Sequence, residues 1–220
     1  MVFEDRRDAG RRLAATLRPL ATERPVIVAL PRGGVPIGDE VARRLGAPLE
    51  VLAVRKLGAP GNPELAIGAV AEGGTGVVDQ AAARRVGLID EVLQETLDRE
   101  FKELRRRVAR YRAGRDRIAV AGRTVIVVDD GLATGLTDLA AVHALRDQAA
   151  QQIIVAVPVA SPDALHLLAD EADDVACLTV PDQLGAVGLW YRDFSAVSDG
   201  EVLAALAPHH PRPASRGVSP

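Results

Sequence analysis

The chain has 220 residues, a formal net charge of −3 and a sequence pI of about 5.8, so it can form one sizeable core and has no bulk electrostatic reason to bind nucleic acid or an anionic membrane. Its single cysteine, Cys177, excludes an intramolecular disulfide and a multi-cysteine metal site, which favours a reducing compartment. The N-terminus is charged where a secretory signal would be apolar, and no apolar run approaches the roughly 18 residues of a membrane span, so we expect a soluble, cytoplasmic protein.

Short β-branched runs alternate with helical patterns along the chain, beginning with an amphipathic helix predicted over residues 4–17. Near-continuous apolar strands separated by helices are typical of a parallel sheet covered on both faces, so the predicted fold class is α/β. The predicted strands are Pro25–Leu30, Leu49–Val54, Ala66–Ala71, Thr124–Asp129, Ile153–Pro158 and Asp174–Val180.

A long insert separates the third and fourth predicted strands, and its second half, Leu88–Arg112, predicts one helix. Apolar residues recur there every three or four positions, while the rest of the helix surface is charged and its C-terminal end is strongly basic. The basic end fits a solvated face whose cations interact favourably with the helix dipole. A contact with a substrate phosphate or with a partner is the alternative.

We expect a single domain over residues 1–206, with a core at about 25–180 and a hood formed by about 181–206 together with the N-terminal helix. The tail, residues 207–220, is rich in proline, serine and glycine without hydrophobic periodicity, so it is predicted to be disordered. His143 and His166 lie on helical patterns with no second ligand at metal spacing, so we expect a structural role for both, and His209 and His210 lie in the tail.

The stretch "VIVVDDGLATGLT", Val125–Thr137, carries the strongest functional signal. It puts Asp129 and Asp130 at the end of a buried strand, followed by a glycine-threonine loop and a helix that begins near Gly135. In open α/β sheets, ligands bind outside the carboxyl ends of the strands. The first N–H groups of a helix lack intrahelical partners and carry the positive end of the dipole, which suits a phosphate.

The residues of the loop fit the same ligand. Gly131 and Gly135 permit close backbone approach, and the hydroxyls of Thr134 and Thr137 can donate hydrogen bonds to a phosphate. The two carboxylates would repel a phosphate, so they are better suited to accept hydrogen bonds from sugar hydroxyls or to face a divalent cation. The pattern therefore predicts a phosphorylated sugar. The alternative is a plain helix cap beside two solvated acids.

This motif resembles the signature of the type I phosphoribosyltransferases. In that family the loop holds the 5-phosphate of phosphoribosyl diphosphate (PRPP), and the two acids hold the ribose hydroxyls. The resemblance implies the family's parallel sheet flanked by helices. The motifs and the sheet between them span about residues 25–158, whereas the long insert and the region after Val180 more closely resemble poorly characterised members of the family. The resemblance assigns PRPP binding to Asp129, Asp130, Gly131, Ala133, Thr134, Gly135 and Thr137.

A second stretch, "LPRGGVPIG", follows the first predicted strand. Its Arg32, Gly33 and Gly34 resemble the family's diphosphate loop, in which a non-proline cis peptide is common, and we expect one here. Two glycines allow backbone N–H groups to face a ligand, and a guanidinium can pair with phosphate oxygens in a bidentate way.

A third stretch, "VRKLGAPGNPELAIG", covers Val54–Gly68 and resembles the family's arginine-lysine pair and the mobile loop that closes over the reaction. The resemblance places Lys56 on the diphosphate. For Arg55, a structural ion pair and a ligand contact are both open. The glycine- and proline-rich part of the stretch could also be a static turn.

The resemblance implies a mechanism in which a nitrogen nucleophile displaces Mg²⁺-bound diphosphate from the anomeric carbon. Arg32, Lys56 and Mg²⁺ would stabilise the departing diphosphate. Asp129 and Asp130 would hold the ribose near the developing positive charge and face the Mg²⁺, directly or through water. These four side chains are the candidate catalytic residues.

The acceptor is the least determined part of the prediction. Some purine-using relatives carry a carboxylate where this chain has Ala133, so a hypoxanthine- or guanine-type contact is in doubt. Glu64 and Glu72 are candidate proton acceptors by location only. Trp190 and Tyr191, in "LGAVGLWYRDF", are candidates to stack on an acceptor ring. The alternative is that this aromatic cluster packs the C-terminal helix onto the domain.

The predicted partners are PRPP and a nitrogenous, nucleobase-like acceptor, with no nucleic acid. Dimers are common in the family, so a homodimer is compatible with the resemblance. A non-catalytic regulator that binds PRPP or a nucleotide is the alternative function; the basic end of the long helix supports it and the negative net charge opposes it. ATPase and dinucleotide-binding motifs are absent from the sequence.

Overall fold

The computed structural model describes residues 2–112 and 115–209, except for the side chains of Pro63 and Glu64. The strands are β1 (Val26–Ala29), β2 (Leu49–Val51), β3 (Val54–Ala59), β4 (Asn62–Ala71), β5 (Gly76–Val78), β6 (Thr124–Val128), β7 (Gln152–Val159) and β8 (Asp174–Thr179). The helices are α1 (Arg6–Leu17), α2 (Gly34–Leu45), α3 (Gln80–Arg85), α4 (Asp90–Arg112), α5 (Leu136–Asp147), α6 (Pro162–Ala169) and α7 (Asp199–Leu206).

Five strands form a parallel sheet in the order β2-β1-β6-β7-β8. Every neighbouring pair is parallel, and β1 lies at the switch point of the sheet, with Ile27 opposite Leu49 of β2 on one side and Ile126 of β6 on the other. All residues of β1 and β6 are buried, as expected of apolar strands covered on both faces. The predicted α/β fold with a parallel sheet is confirmed.

A second, antiparallel sheet is formed by β3, β4 and β5. The predicted strand Ala66–Ala71 lies within β4, so its strand character is confirmed but its placement in the parallel sheet is wrong. The physical reason is the two-residue turn that joins β3 to β4, since a parallel neighbour needs a crossover of a dozen or more residues. The chain therefore leaves the main sheet and folds back on itself.

The segment Val54–Gly68, compared above with a mobile loop, is a β-hairpin with its turn at Pro60–Gly61.

The main sheet separates two hydrophobic clusters. Because successive side chains of a strand point to opposite faces, Ile27 and Ala29 enter the cluster under α1, α2 and α7, whereas Val26 and Val28 enter the cluster under α5 and α6. The second sheet packs on α5, with Ala69 of β4 in the second cluster. Burial of both sheet faces fixes the register of β1 against β6, and so sets the loops that follow these strands side by side.

The predicted helix Leu88–Arg112 is confirmed as α4. Its apolar side packs on the second sheet, where Leu104 joins Leu57 in a third cluster. Its last residue, Arg112, forms ion pairs with Glu50 of β2 at 3.2 Å and with Glu72 at 3.0 Å. The Glu50 side chain is almost fully buried, and its other hydrogen-bond donors are backbone N–H groups. Arg112 therefore fastens the insert to the edge of the main sheet.

The C-terminal part of the chain covers α1 and α2, and α7 contributes Val202 and Leu206 to the first cluster. Ala207–His209, which the sequence assigned to the tail, form a 3-10 turn, and His209 Nε2 lies 3.4 Å from Oδ1 of the buried Asp39. Residues 210–220, with His210, lie outside the described residues. Across the described part of the chain, no helix combines the length and apolarity needed to cross a membrane.

We expect Arg112→Ala to lower the free energy of unfolding by about 3 kcal/mol, because it leaves the buried Glu50 carboxylate without its cation. Urea unfolding measures the change. Arg99→Ala on the same helix is the matched control, since Arg99 is 70% exposed and should change the free energy by less than about 0.5 kcal/mol. Equal, small effects of the two substitutions would contradict the anchoring role of Arg112.

Candidate active site

The loop between β6 and α5 is fastened to the end of the neighbouring strand. Leu132 donates from its N–H to Val159 O at 2.9 Å and accepts from the N–H of Ser161 at 2.9 Å. Ser161 Oγ donates to Ala133 O at 2.7 Å. Gly135 precedes α5 with a φ of +75°, a conformation that favours glycine. The free N–H groups at the start of α5 therefore follow the two acids, as the sequence predicts.

The residues assigned to phosphate binding differ in their exposure. Ala133 and Thr134 are exposed, and Thr137 is half-buried in the first turn of α5. Gly131 lies against Val187, and a Cβ at this position would come within 2.7 Å of Val187 Cγ1. Gly131 is therefore required for packing of the C-terminal segment, in addition to any role in ligand approach.

The loop after β1 lies directly against the loop after β6. The Pro31–Arg32 peptide bond is cis, which confirms the expected non-proline cis bond. A Cβ on Gly33 would overlap Asp130 Oδ2, and a Cβ on Gly34 would overlap Val128 O. Gly34 also donates from its N–H within its own loop, to Leu30 O at 3.0 Å. The glycines thus allow the two motifs to form one continuous site.

Asp130 is held by residues from both ends of the chain. Arg6 of α1 donates from Nε to Asp130 Oδ2 at 2.9 Å, and its second nitrogen lies 2.8 Å from the same oxygen. The Arg6 guanidinium also lies 3.8 Å from the centre of the Phe194 ring and donates to Ser195 O at 2.8 Å. Tyr191 donates its hydroxyl to Asp130 O at 2.6 Å. Sequence reasoning missed Arg6, since nothing in the local pattern of α1 marks it as a partner of Asp130.

Tyr191 does not offer its ring to an acceptor. The side chain is 5% exposed, and its ring centre lies 5.4 Å from that of Phe3 and 5.0 Å from that of Phe194. Burial raises the pKa of the Tyr191 hydroxyl, so it remains a hydrogen-bond donor. The prediction that Tyr191 stacks on an acceptor ring is therefore wrong, and the alternative holds: its ring packs the C-terminal segment onto the domain. Trp190 is half-buried, donates from its indole N–H to Leu184 O at 3.0 Å and stays a prediction.

Three carboxyl groups, those of Asp129, Asp130 and Asp138, act on one another electrostatically at this edge of the sheet. Burial raises the pKa of Asp129 well above its ordinary value, and Asp138 and Asp130 raise it further. Burial also raises the pKa of Asp130, although the Arg6 guanidinium opposes that shift. The arrangement disfavours three negative charges at once, so it favours ligands that donate hydrogen bonds or carry positive charge.

Asp138 is a second residue that sequence reasoning missed. Its side chain is 2% exposed in the first turn of α5, and its Oδ1 has no hydrogen-bond partner among the residues the structure describes. Burial raises the pKa of Asp138 to about 8, with a further contribution from the charge of Asp130. A signal was present in the sequence, because an acid interrupts the otherwise apolar start of "LTDLAAVHAL".

The two cations assigned to diphosphate lie on different elements. Arg32 follows β1, and its guanidinium lies 3.9 Å from Asp199 Oδ1 at the start of α7. Lys56 is exposed on β3 and lines a cleft of about 680 Å³ between the β3–β4 hairpin and α4. Arg55 beside it lies 2.6 Å from Glu100 Oε2, so the geometry favours the structural ion pair for Arg55.

The two candidate proton acceptors gain no support. Glu72 lies 3.0 Å from Arg112 and 4.0 Å from Arg117, so its carboxylate is engaged in the anchoring of α4. The side chain of Glu64 lies outside the described residues.

Comparison with known proteins identifies the family. Residues 4–191 match the family model described as the phosphoribosyl transferase domain. The chain belongs to the phosphoribosyltransferase family. The match to the family model begins before α1 and ends at Tyr191. It therefore includes Arg6 and Tyr191, the two residues that hold Asp130.

Relatives of this chain extend the comparison. Two curated proteins of Mycobacterium tuberculosis, from strains CDC 1551 / Oshkosh and ATCC 25618 / H37Rv, carry the provisional name phosphoribosyl transferase and are 45% identical over 209 residues. The alignment covers 95% of this chain but 47% of theirs, so the chain spans about half the length of these relatives.

Solved structures agree on the fold. The protein TT1426 of Thermus thermophilus is 48% identical and superposes with a TM-score of 0.79, covering 94% of this chain and 98% of that one. The AQ2163 protein of Aquifex aeolicus superposes with a TM-score of 0.51 over 92% of this chain and 86% of that one. At 13% identity, the second likeness shows the fold alone.

The raised pKa of Asp138 predicts a pH-dependent stability. The folded state holds a proton that the unfolded state releases between about pH 4 and pH 8. The free energy of unfolding therefore falls as pH rises through this window, with a contribution from Asp138 of up to about 1.4 kcal/mol per pH unit. We expect Asp138→Asn to unfold at a higher temperature than the natural protein at pH 8, and this gain to shrink as pH approaches 4.

Thermal unfolding across this pH range measures the difference. Asp163→Asn is the matched control, because Asp163 occupies the first turn of α6 with an exposed side chain and should show no such trend. A stability difference between Asp138→Asn and the natural protein that does not vary with pH would contradict the buried, protonated carboxyl.

Proposed function

We propose that the protein transfers the phosphoribosyl group from PRPP to a nitrogen acceptor and releases diphosphate. The observation that supports this proposal most strongly is that Gly33, in the loop after β1, lies directly against Asp130, in the loop after β6. This contact brings an arginine-glycine loop, two acids and the start of a helix to one edge of the sheet. Membership of the phosphoribosyltransferase family supports a transferase, and the donor, acceptor and metal are parts of the proposal.

The 5-phosphate would bind on the loop between β6 and α5. The exposed backbone at Ala133 and Thr134 leads into the first turn of α5, whose N–H groups carry partial positive charge. The hydroxyls of Thr134 and Thr137 would add hydrogen bonds. The anchoring of this loop to Ser161 supports a preformed site, which reduces the entropy lost when the phosphate binds.

The ribose would bind to Asp129 and Asp130. Neutral hydroxyls can donate hydrogen bonds to these oxygens without adding negative charge to a region where the charge of Asp130 already raises the pKa of both Asp129 and Asp138. Arg6 holds Asp130 Oδ2 in place, which fixes the direction of the second acid. As positive charge develops on the ribose ring, the two preorganised acids would stabilise it.

The diphosphate would leave toward Arg32 and Lys56. A guanidinium on one side and an ammonium on the other provide the charge needed to stabilise a departing diphosphate. Gly33 permits the close approach of this loop to Asp130, so the leaving group and the ribose would lie on neighbouring parts of one site.

A magnesium ion is part of the proposed reaction. Among residues 2–112 and 115–209, no three or more His, Cys, Asp or Glu side chains are grouped so as to hold a metal by themselves. The carboxylate oxygens of Asp129 and Asp130 are hard donors, and Mg²⁺ commonly binds through one or two carboxylates together with substrate phosphates and water. The donor set therefore fits an ion that arrives with the diphosphate, whose charge it would offset.

The acceptor is proposed only as a nitrogen nucleophile of the nucleobase class. Ala133 supplies no carboxylate to a purine ring, and Tyr191 is buried, so Trp190 remains the aromatic candidate for an acceptor contact.

The non-catalytic alternative loses part of its support, because the basic end of α4 is paired within the molecule. Arg106 lies 2.8 Å from Glu103, and Arg110 lies 2.6 Å from Asp199.

The test is PRPP- and Mg²⁺-dependent release of diphosphate with a panel of purine, pyrimidine and other nitrogen acceptors. We expect acceptor-dependent release that falls by at least about a hundredfold in Asp129→Asn/Asp130→Asn, because the two carboxyl groups proposed to hold the ribose are replaced by amides. Asp163→Asn/Asp170→Asn removes the same charge from exposed positions and should retain activity. PRPP binding without release for any acceptor would contradict the transferase and favour the regulator.

A further inference from the structure

The basic end of α4 converges with Arg32 on one carboxylate. Asp199, the first residue of α7, lies 2.6 Å from Arg110 and accepts a hydrogen bond from the Tyr111 hydroxyl at 2.8 Å. Arg32 lies 3.9 Å from the oxygen that Tyr111 contacts. Asp199 therefore occupies the position of an anion among groups that would also suit a phosphate.

Positive charge exceeds negative charge around this carboxylate. Along this edge of α4, ion pairs join several arginines to a smaller number of acids, so the acids are shared. Glu103, for example, lies 2.8 Å from Arg106, 3.6 Å from Arg107 and 3.8 Å from Arg55. An anion that replaces Asp199 could therefore bind here while the pairs of Glu103 remain.

The cluster also connects the two cations assigned to diphosphate. Arg107 lines the same cleft as Lys56, and its charge acts on Asp199 and on Tyr111. Arg32 lies on the other side of Asp199 and belongs to the loop that packs against Asp130. Burial and the nearby Asp199 raise the pKa of Tyr111 to about 12, so its hydroxyl remains a donor at neutral pH.

We propose that Arg107, Arg110 and Tyr111 form an anion site with Arg32 that binds diphosphate, and that Asp199 is the internal anion which this ligand displaces. The inference rests on the proposed function, since it adds residues of the long insert to the leaving-group side of that site. A diphosphate offers more oxygens and more charge than a carboxylate, so the three arginines and the hydroxyl can all be satisfied at once. The basic end of α4 thus has a ligand role beyond its ion pairs within the molecule.

Calorimetric titration with inorganic pyrophosphate, with and without Mg²⁺, tests the site directly. Arg110→Gln should weaken binding about tenfold or more, because it removes a charge-assisted contact. Arg105→Gln is the matched control on the same helix, since Arg105 is exposed on the opposite side, beside Gly73 and Ala109, and should change the affinity less than twofold. Equal losses in the two variants would overturn the proposal, because they would reflect net charge alone.

Asp199→Asn separates displacement from simple packing. The amide can still accept a hydrogen bond from Tyr111, but it no longer competes as an anion, so pyrophosphate should bind about tenfold more tightly. Unchanged or weaker binding would overturn the role of Asp199 as an internal anion. Thermal unfolding of every variant confirms that the fold is retained.

The same variants distinguish this inference from the proposed function. If pyrophosphate affinity depends on Arg110 but no acceptor supports PRPP-dependent release, the anion site stands and the transferase fails. If release occurs and depends on Asp129 and Asp130, while Arg110→Gln changes neither pyrophosphate affinity nor the KM for PRPP, the transferase stands and the anion site fails.

Discussion

The close contact between Gly33 and Asp130 is the constraint on which the candidate site depends. It exists because β1 and β6 are parallel neighbours with both faces buried, which sets their carboxyl ends at the same height. A side chain at position 33 would displace the Asp130 carboxylate, which lies directly against the arginine-glycine loop. Burial of the sheet stabilises the fold. It thus also determines the distance between the arginine-glycine loop and the two acids, which are proposed to act on one ligand.

The surrounding elements bury the acids, and this burial raises the pKa of Asp129, Asp130 and Asp138. Arg6 from α1 and Tyr191 from the C-terminal segment fix the side chain and the backbone of Asp130, so the two ends of the described chain meet at one residue. Asp138 beneath them stays buried without a complete set of hydrogen bonds, at a cost in stability. Such a concentration of buried acids is costly for a structural element and typical of a functional one.

Local patterns in the sequence were sufficient to predict the main sheet, α4 and the two glycine loops, since each of these depends on periodicity or on a motif. The second sheet was misplaced because it arises from a two-residue turn between β3 and β4, which a strand-by-strand interpretation does not weigh. The pairs Arg6–Asp130 and Arg110–Asp199 join residues far apart in the chain, and no local signal marks them. Tyr191 was assigned to a ligand because an aromatic cluster predicts burial and stacking equally well.

The most direct measurement is a crystal structure of the protein grown with PRPP and Mg²⁺. We predict that the 5-phosphate lies on the backbone of residues 131–137, the ribose hydroxyls within about 2.6–3.2 Å of Asp129 and Asp130, and the diphosphate beside Arg32. PRPP bound with its phosphate away from this loop, or with the ribose out of reach of both acids, would show that these two loops do not form one phosphoribosyl site.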